Sequence, residues 1–282
     1  MRSRADFHTH TTASDGKLTP TELIDLAARR GVQIIAITDH DSTEGLPEAE
    51  AAAARHEGLV LVPGIEMSAD ITDDEVHILG YFLDYRDEEF QKTLTRLRHA
   101  RRDRGRSMVE KLHELGIDIP WERVEELAGD GAVGRPHVAQ VLQEKGYIAS
   151  FQEAFEKYIG RNGPAYVERV KLTPVEAVRM LVEIGGLPVL AHPSSLSQLG
   201  RLLEELKAAG LVGMEVYYQD YDEATRGRLA RAAEKHGVLK LGGSDYHGLN
   251  TPRERLPGDI PLPDEAIEAF METAARAAAL RP

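Results

Sequence analysis

Short, mainly apolar stretches alternate along the chain with segments long enough for helices. The stretches cover residues 4–7, 33–37, 59–62, 76–83, 187–191, 212–217 and 238–241. Nearly unbroken hydrophobicity over so few residues is the pattern of strands buried on both faces, as in parallel sheets. Helix starts lie between them. Thr19-Pro20-Thr21-Glu22 and Thr173-Pro174-Val175-Glu176 each offer a threonine cap, a proline in the first turn and a glutamate three residues past the cap. These helices close at Gly31 and at Gly185-Gly186, and an apolar stretch comes after each. Such alternation predicts an α/β domain, either open or closed into a barrel.

Residues 87–170 break the rhythm. Helical patterns cover 87–115, 121–128, 135–145 and 150–158, and the next strand-like run is 165–170. The pattern predicts an all-helical insertion over 87–170 in a host formed by residues 1–86 and 171–282, with Trp121, the one tryptophan, packing the insertion.

Composition changes the picture in two ways. The chain has 282 residues and no cysteine, which removes disulfides, thiol nucleophiles and thiolate metal ligands. Its formal net charge is −13, which disfavours a general nucleic-acid coat protein and requires local positive charge, from side chains or metal ions, to hold an anionic substrate. No apolar run approaches the ~20 residues of a membrane helix, and the first residues lack a signal-peptide pattern. A cytoplasmic location without membrane partners is therefore expected, and no obligate protein partner is evident.

The chemistry is carried by histidines and acids. Of the 11 histidines, His56, His99, His113 and His236 fall within predicted helices and His137 at a helix start. The remaining six accompany the strands: His8 and His10 in His-Thr-His, His40 in Thr-Asp-His-Asp, His77 in Val-His-Ile, His192 in Ala-His-Pro, and His247 in Ser-Asp-Tyr-His. His-x-His on a strand or its exit sends two imidazoles to the same side, and Asp245-x-His247 repeats the spacing with a mixed pair. Asp15 and Glu66 add carboxylates at expected loop positions after strands, suited to bridging neighbouring cations. Six imidazoles and three carboxylates gathered on one rim of an α/β core predict a polynuclear metal site.

Asp6-Phe7-His8-Thr9-His10, Ser14-Asp15-Gly16, Ile37-Thr38-Asp39-His40, Pro63-Gly64-Ile65-Glu66, Val76-His77-Ile78-Leu79-Gly80, Ala191-His192-Pro193 and Gly243-Ser244-Asp245-Tyr246-His247 together resemble the PHP (polymerase and histidinol phosphatase) superfamily. The resemblance implies a distorted (β/α)7 barrel with a trinuclear centre of divalent ions, drawn from Mn, Fe or Zn. It implies one ion on His8, His10, Glu66 and Asp245, a second on Glu66, His77 and His192, and a third on Asp15, His40 and His247. Gly134-Arg135-Pro136-His137, Lys157-Tyr158-Ile159-Gly160 and Pro164-Ala165-Tyr166-Val167 resemble the stand-alone nucleotide phosphoesterase branch. That branch removes the 3′-phosphate of nucleoside 3′,5′-bisphosphates, and some members trim RNA from its 5′ end. The expected partners are thus a small phosphorylated nucleotide or short RNA 5′ ends. Histidinol-phosphate phosphatase and a non-enzymatic metal-binding module are the alternatives.

A metal-bridging hydroxide attacking phosphorus in line would need no protein nucleophile, in keeping with the composition. Arg135, Lys171 and Ser194 are the candidate phosphate contacts beyond the metals. Asp39 and Asp41 either orient His40 or cap the next helix, and Glu215 ends a strand with no assigned role. Arg96, Arg98, Arg101, Arg102, Arg104 and Arg106 form a basic run read either as a solvated, acid-balanced helix or as a nucleotide-guiding surface.

Overall fold

The computed structural model describes residues 2–71, 74–129, 131–168, 172–219, 221–249 and 254–280. Its centre is a seven-stranded sheet whose spatial order is that of the chain: β1 (Ala5–Asp6), β2 (Ile34–Ile37), β3 (Val60–Ile71), β4 (Asp74–Tyr81), β5 (Leu187–Leu190), β6 (Gly213–Tyr218) and β7 (Leu239–Gly243). Past the ends of β1 and β7 the chain bridges in parallel at Thr9 and Tyr246, with Asp245 N donating to His8 O at 2.8 Å and His10 N to Tyr246 O at 2.9 Å. These bonds nearly close the sheet into a barrel.

Hydrophobic runs are unbroken because successive residues enter different cores. In β2, Ile35 and Ile37 pack outward against helices, whereas Ile34 and Ala36 join the cluster inside the barrel. Outside lie α1 (Pro20–Arg30), α2 (Leu46–Ala53), α7 (Pro174–Glu183), α8 (Leu199–Ala209) and α9 (Glu223–His236). Both Thr-Pro-x-Glu starts form capping boxes, at Thr19 and Thr173. The last helix, α10 (Asp264–Ala279), inserts Ile267 and Phe270 into the barrel cluster, where Phe270 meets Phe7 edge-on at 5.1 Å.

The sheet is not uniformly parallel. β3 and β4 are consecutive and antiparallel, and β4 also runs antiparallel to β5. β3 continues well past Pro63, so Glu66 lies inside a strand rather than on a loop. Burial on both faces yields the same apolar run for either strand direction, which is why composition could not tell them apart.

Between β4 and α7 come α3 (Glu88–Glu114), α4 (Trp121–Ala128), α5 (Arg135–Glu144), α6 (Phe151–Ala154) and a π-helical turn over Phe155–Ile159. A separate hydrophobic cluster, with Val109, Trp121, Val138 and Ile159, belongs to this region, while Phe90 and Leu94 of α3 join the barrel's outer core. On that separate core rests our proposal that 87–170 is an inserted subdomain. The strand expected over 165–170 is absent from 165–168, and 169–170 fall outside the described residues. Here the carbonyls of Val167 and Tyr166 accept from Arg104 and Lys111 of α3 instead of from a neighbouring strand.

Gly243 sits where β7 meets β1. A Cβ there would lie 2.5 Å from both N and Cβ of His8. Gly243→Ala is expected to cost about 3 kcal/mol, since backbone cannot yield as a flexible side chain does; a urea midpoint equal to the parent's would contradict this.

Candidate metal centre

Strand ends, the loop between β1 and α1, and the paired strands β3 and β4 bring the nine predicted side chains to one place. His8 and His10 come just after β1, His192 just after β5, and Asp245 and His247 just after β7. His40 lies past the end of β2 and bridges in parallel to Glu66 of β3. Register brings in His77: it pairs with Ser68, so it shares a face with Glu66 two residues along β3. The backbone is held in unusual conformations at His192 and Asp245, with φ of 28° and 51°.

Glu66, 1% exposed, is the hub. Its Oε2 lies 3.3 Å from His8 Nε2, 3.2 Å from His10 Nε2 and 3.0 Å from His40 Nδ1. Its Oε1 lies 2.8 Å from His77 Nδ1 and 3.1 Å from His192 Nε2. Asp245 Oδ1 approaches His8 Nε2 and His10 Nε2 at 3.2 and 3.1 Å. Asp15 Oδ1 lies 3.3 Å from His247 Nε2, and the His10 and His247 rings stack at 4.1 Å.

Three groups have ligand atoms within 4.8 Å of one another: His8, His10, Glu66 and Asp245; His10, Asp15, His40 and His247; and His40, Glu66 and His77. The first coincides with an expected set. The second adds His10 to the expected trio. The third contains His40 instead of His192, whose nitrogen nonetheless lies against Glu66.

These residues fit divalent cations. His8 Nε2, both nitrogens of His10, His40 Nδ1, Asp15 Oδ1 and Glu66 Oε2 are buried without a hydrogen bond. Buried polar atoms are rarely left so, and convergent imidazole and carboxylate lone pairs are the donor set of Mn, Fe or Zn. The charges respond to one another. Despite burial, His40, His77 and His8 hold the Glu66 carboxyl well below its ordinary range. Burial drives His77 down to about 4, whereas the carboxylates of Asp15 and Asp245 outweigh burial at His247 and lift it to about 10.

Surrounding residues fix the candidate ligands. Fully buried Glu215 on β6 accepts from His8 Nδ1 at 3.0 Å and from the His192 backbone N at 2.8 Å. It thereby holds the His8 tautomer that presents Nε2. A carboxylate within the apolar run Val-Gly-Met-Glu-Val was the sequence signal for it, although its role was not legible there. Asp39 and Asp41 have partners beyond the two expected of them. Asp39 accepts from Thr11 N, Thr11 Oγ1 and Ser14 Oγ, shaping the loop that carries Asp15. Asp41 accepts from Ser68 N and pairs with Arg101 at 2.6 Å, while the N-cap of α2 is Gly45, with no side-chain cap.

The basic run is largely neutralised and ties α3 to the barrel. Arg98 pairs with Glu44 at 2.8 Å, Arg101 with Asp41, and Arg104 approaches Glu75 at 3.9 Å. Arg102 pairs with Glu125 and Arg106 lies over Trp121 at 5.5 Å, while Arg96 is exposed. Among the substrate candidates, Arg135 donates to Glu75 and lies over Phe155 at 5.2 Å. Ser194 occupies a 3₁₀ turn beside His192, with its N donating to the Tyr221 hydroxyl at 3.3 Å. Lys171 lies outside the described residues. Among those residues, no helix is long and apolar enough to cross a membrane.

Comparison with known proteins places this geometry. The PHP domain model matches residues 6–163. A 5′-3′ exoribonuclease Rnm of Salmonella typhimurium is 36% identical over 247 residues, 86% of this chain and 84% of the relative. A 3′,5′-nucleoside bisphosphate phosphatase of Chromobacterium violaceum is 34% identical over 247 residues, 86% of each chain. A solved amidohydrolase structure from Chromobacterium violaceum, with bound sulfate and no metal, superposes with a TM-score of 0.88 and 31% identity over 96% of this chain and 97% of that one. With a family model spanning more than half its length and relatives of this similarity, the chain belongs to the PHP domain family.

Proposed function

We propose that this metal-dependent phosphoesterase hydrolyses the 3′-phosphate of nucleoside 3′,5′-bisphosphates, and that short RNA is trimmed from its 5′ end at the same site. The supporting observation is the convergence around Glu66 of buried imidazole and carboxylate atoms that make no hydrogen bond. The relatives named for these two activities favour the nucleotide reading over histidinol phosphate and over a non-enzymatic module.

His8, His10, Asp15, His40, Glu66, His77, His192, Asp245 and His247 would hold about three divalent ions, one for each compact ligand group. Such ions supply Lewis acidity towards phosphoryl oxygens and lower the pKa of an attacking water. The chain has no cysteine to serve as a covalent nucleophile. Its side chains position and orient: Glu215 sets His8, and Asp39 shapes the Asp15 loop. Arg135, Lys171 and Ser194 are the proposed contacts for the second phosphate. Arg135 opens α5, whose first-turn amides also favour an anion.

The test compares phosphate release from adenosine 3′,5′-bisphosphate and histidinol phosphate by Mn²⁺-loaded protein. The bisphosphate is expected to have a kcat/KM at least roughly tenfold higher, a difference of about 1.4 kcal/mol in transition-state binding. The opposite order would overturn the substrate assignment.

A further inference from the structure

One polar group at the centre remains unaccounted for, and it lies on the strand that carries Glu215. In a regular strand, residues three apart face opposite ways. β6 departs from regularity between Glu215 and Tyr217, where its register with β7 shifts. The extra residue of a bulge re-aims the side chains beyond it, so Glu215 and Tyr218 both reach the ligand cluster. Gly242 permits the bulge, because a Cβ there would lie 1.7 Å from Tyr217 O.

Tyr218 uses this placement on a single atom. Its hydroxyl donates to Asp245 Oδ2 at 2.6 Å, and its ring lies 5.4 Å from that of His192. Asp245 Oδ1 faces His8 Nε2 and His10 Nε2 at 3.2 and 3.1 Å. The two oxygens of one carboxylate therefore have separate tasks. Asp245 cannot easily exchange them by moving its backbone, since its N donates to His8 O at 2.8 Å.

We propose that Tyr218 is a positioning residue that holds Asp245 to one-oxygen ligation, so that a cation between His8, His10, Glu66 and Asp245 keeps a coordination position for water or a phosphoryl oxygen. Without the hydroxyl, Oδ2 is released and Asp245 becomes free to chelate through both oxygens. A second carboxylate oxygen then takes a position that water or substrate needs. The inference rests on the metal-site reading above but not on the identity of the nucleotide.

The test is Tyr218→Phe, which deletes one oxygen and keeps the ring. Metal content by elemental analysis and the melting temperature of the metal-free protein are expected to match the parent. Water-proton relaxation by the Mn²⁺-loaded variant is expected to be weaker, reflecting fewer exchangeable waters on the ions. Its kcat/KM should fall roughly 10–100-fold, the usual effect of removing a group that orients a ligand. Unchanged relaxation overturns the proposal; if turnover also falls, the hydroxyl acts on the reaction by another route. Lost metal or a lower metal-free melting temperature also overturns it, by showing that the hydroxyl builds the site or the fold. Relaxation and metal content need no substrate, so these arms stand even if the nucleoside bisphosphate assignment fails.

Discussion

Glu66→Gln is expected to lower phosphate release by roughly 10³-fold or more, equivalent to about 4 kcal/mol of transition-state stabilisation, and to reduce bound metal sharply. The two Glu66 oxygens face five imidazoles, at 2.8 to 3.3 Å. The amide conserves size but replaces one acceptor with an NH₂ and removes the charge, so at least one set of imidazoles loses its carboxylate partner. The substitution leaves the hydrophobic clusters untouched, so a fall in activity with an intact circular-dichroism spectrum isolates the ligand effect. Initial rates and elemental analysis measured on the same preparation decide the matter. A glutamine variant retaining both metal and rate would remove Glu66 from the centre and with it the proposed division into ligand groups.

Loading the metal-free protein with Mn²⁺ should raise its melting temperature by about 10 °C for one site filled at a thousandfold excess over Kd. Such filling stabilises by about 4 kcal/mol, and a chain of this size shifts by roughly 2–4 °C per kcal/mol. The source is the set of buried atoms on His8, His10, His40, Asp15 and Glu66 that make no hydrogen bond, which carry a desolvation cost until something binds them. Calorimetry with and without chelator reads the shift, and elemental analysis should give about three equivalents per chain, one per ligand group. No shift and near-zero metal would overturn the metal-centre reading itself.

The increment should also depend on pH with a definite sign. In the metal-free chain His247 is raised to about 10 by Asp15 and Asp245 acting against burial. A raised imidazole contributes stability that is complete below about pH 6.5 and is lost as pH climbs through 10. Metal requires the neutral imidazole, so it competes with that proton. Stabilisation by metal therefore grows as pH rises, whereas the contribution of His247 to the chelated protein shrinks over the same range.

Much of the site was legible because metal ligands are conspicuous in an acidic, cysteine-free sequence. His-x-His and Asp-x-His spacings survive without knowledge of the fold, since alternation along an extended chain is local geometry. The Thr-Pro-x-Glu caps were legible for the same reason, and both formed as expected. Glu66 stands out in the sequence as a candidate ligand, but it is not the loop acid expected there. Its strand runs to Ile71, and only pairing with β4 sets it beside His77. The basic run of α3 shows the converse. Its six arginines are plain in the sequence, yet three of their partners, Glu44, Asp41 and Glu75, lie far away in the chain and belong to the barrel.

The sequence by itself determined which residues are candidates for binding metal, where strands and capped helices begin, and that 87–170 is helical in the main. Each of those rests on interactions within a few residues. Tertiary structure decided the antiparallel course of β4, the grouping of candidate ligands around Glu66, and the hydrogen bonds of Glu215 and Tyr218. Those depend on register, on a single-residue bulge and on contacts between strands remote in the chain. A shift of one residue there would turn a ligand from the cluster to the opposite face.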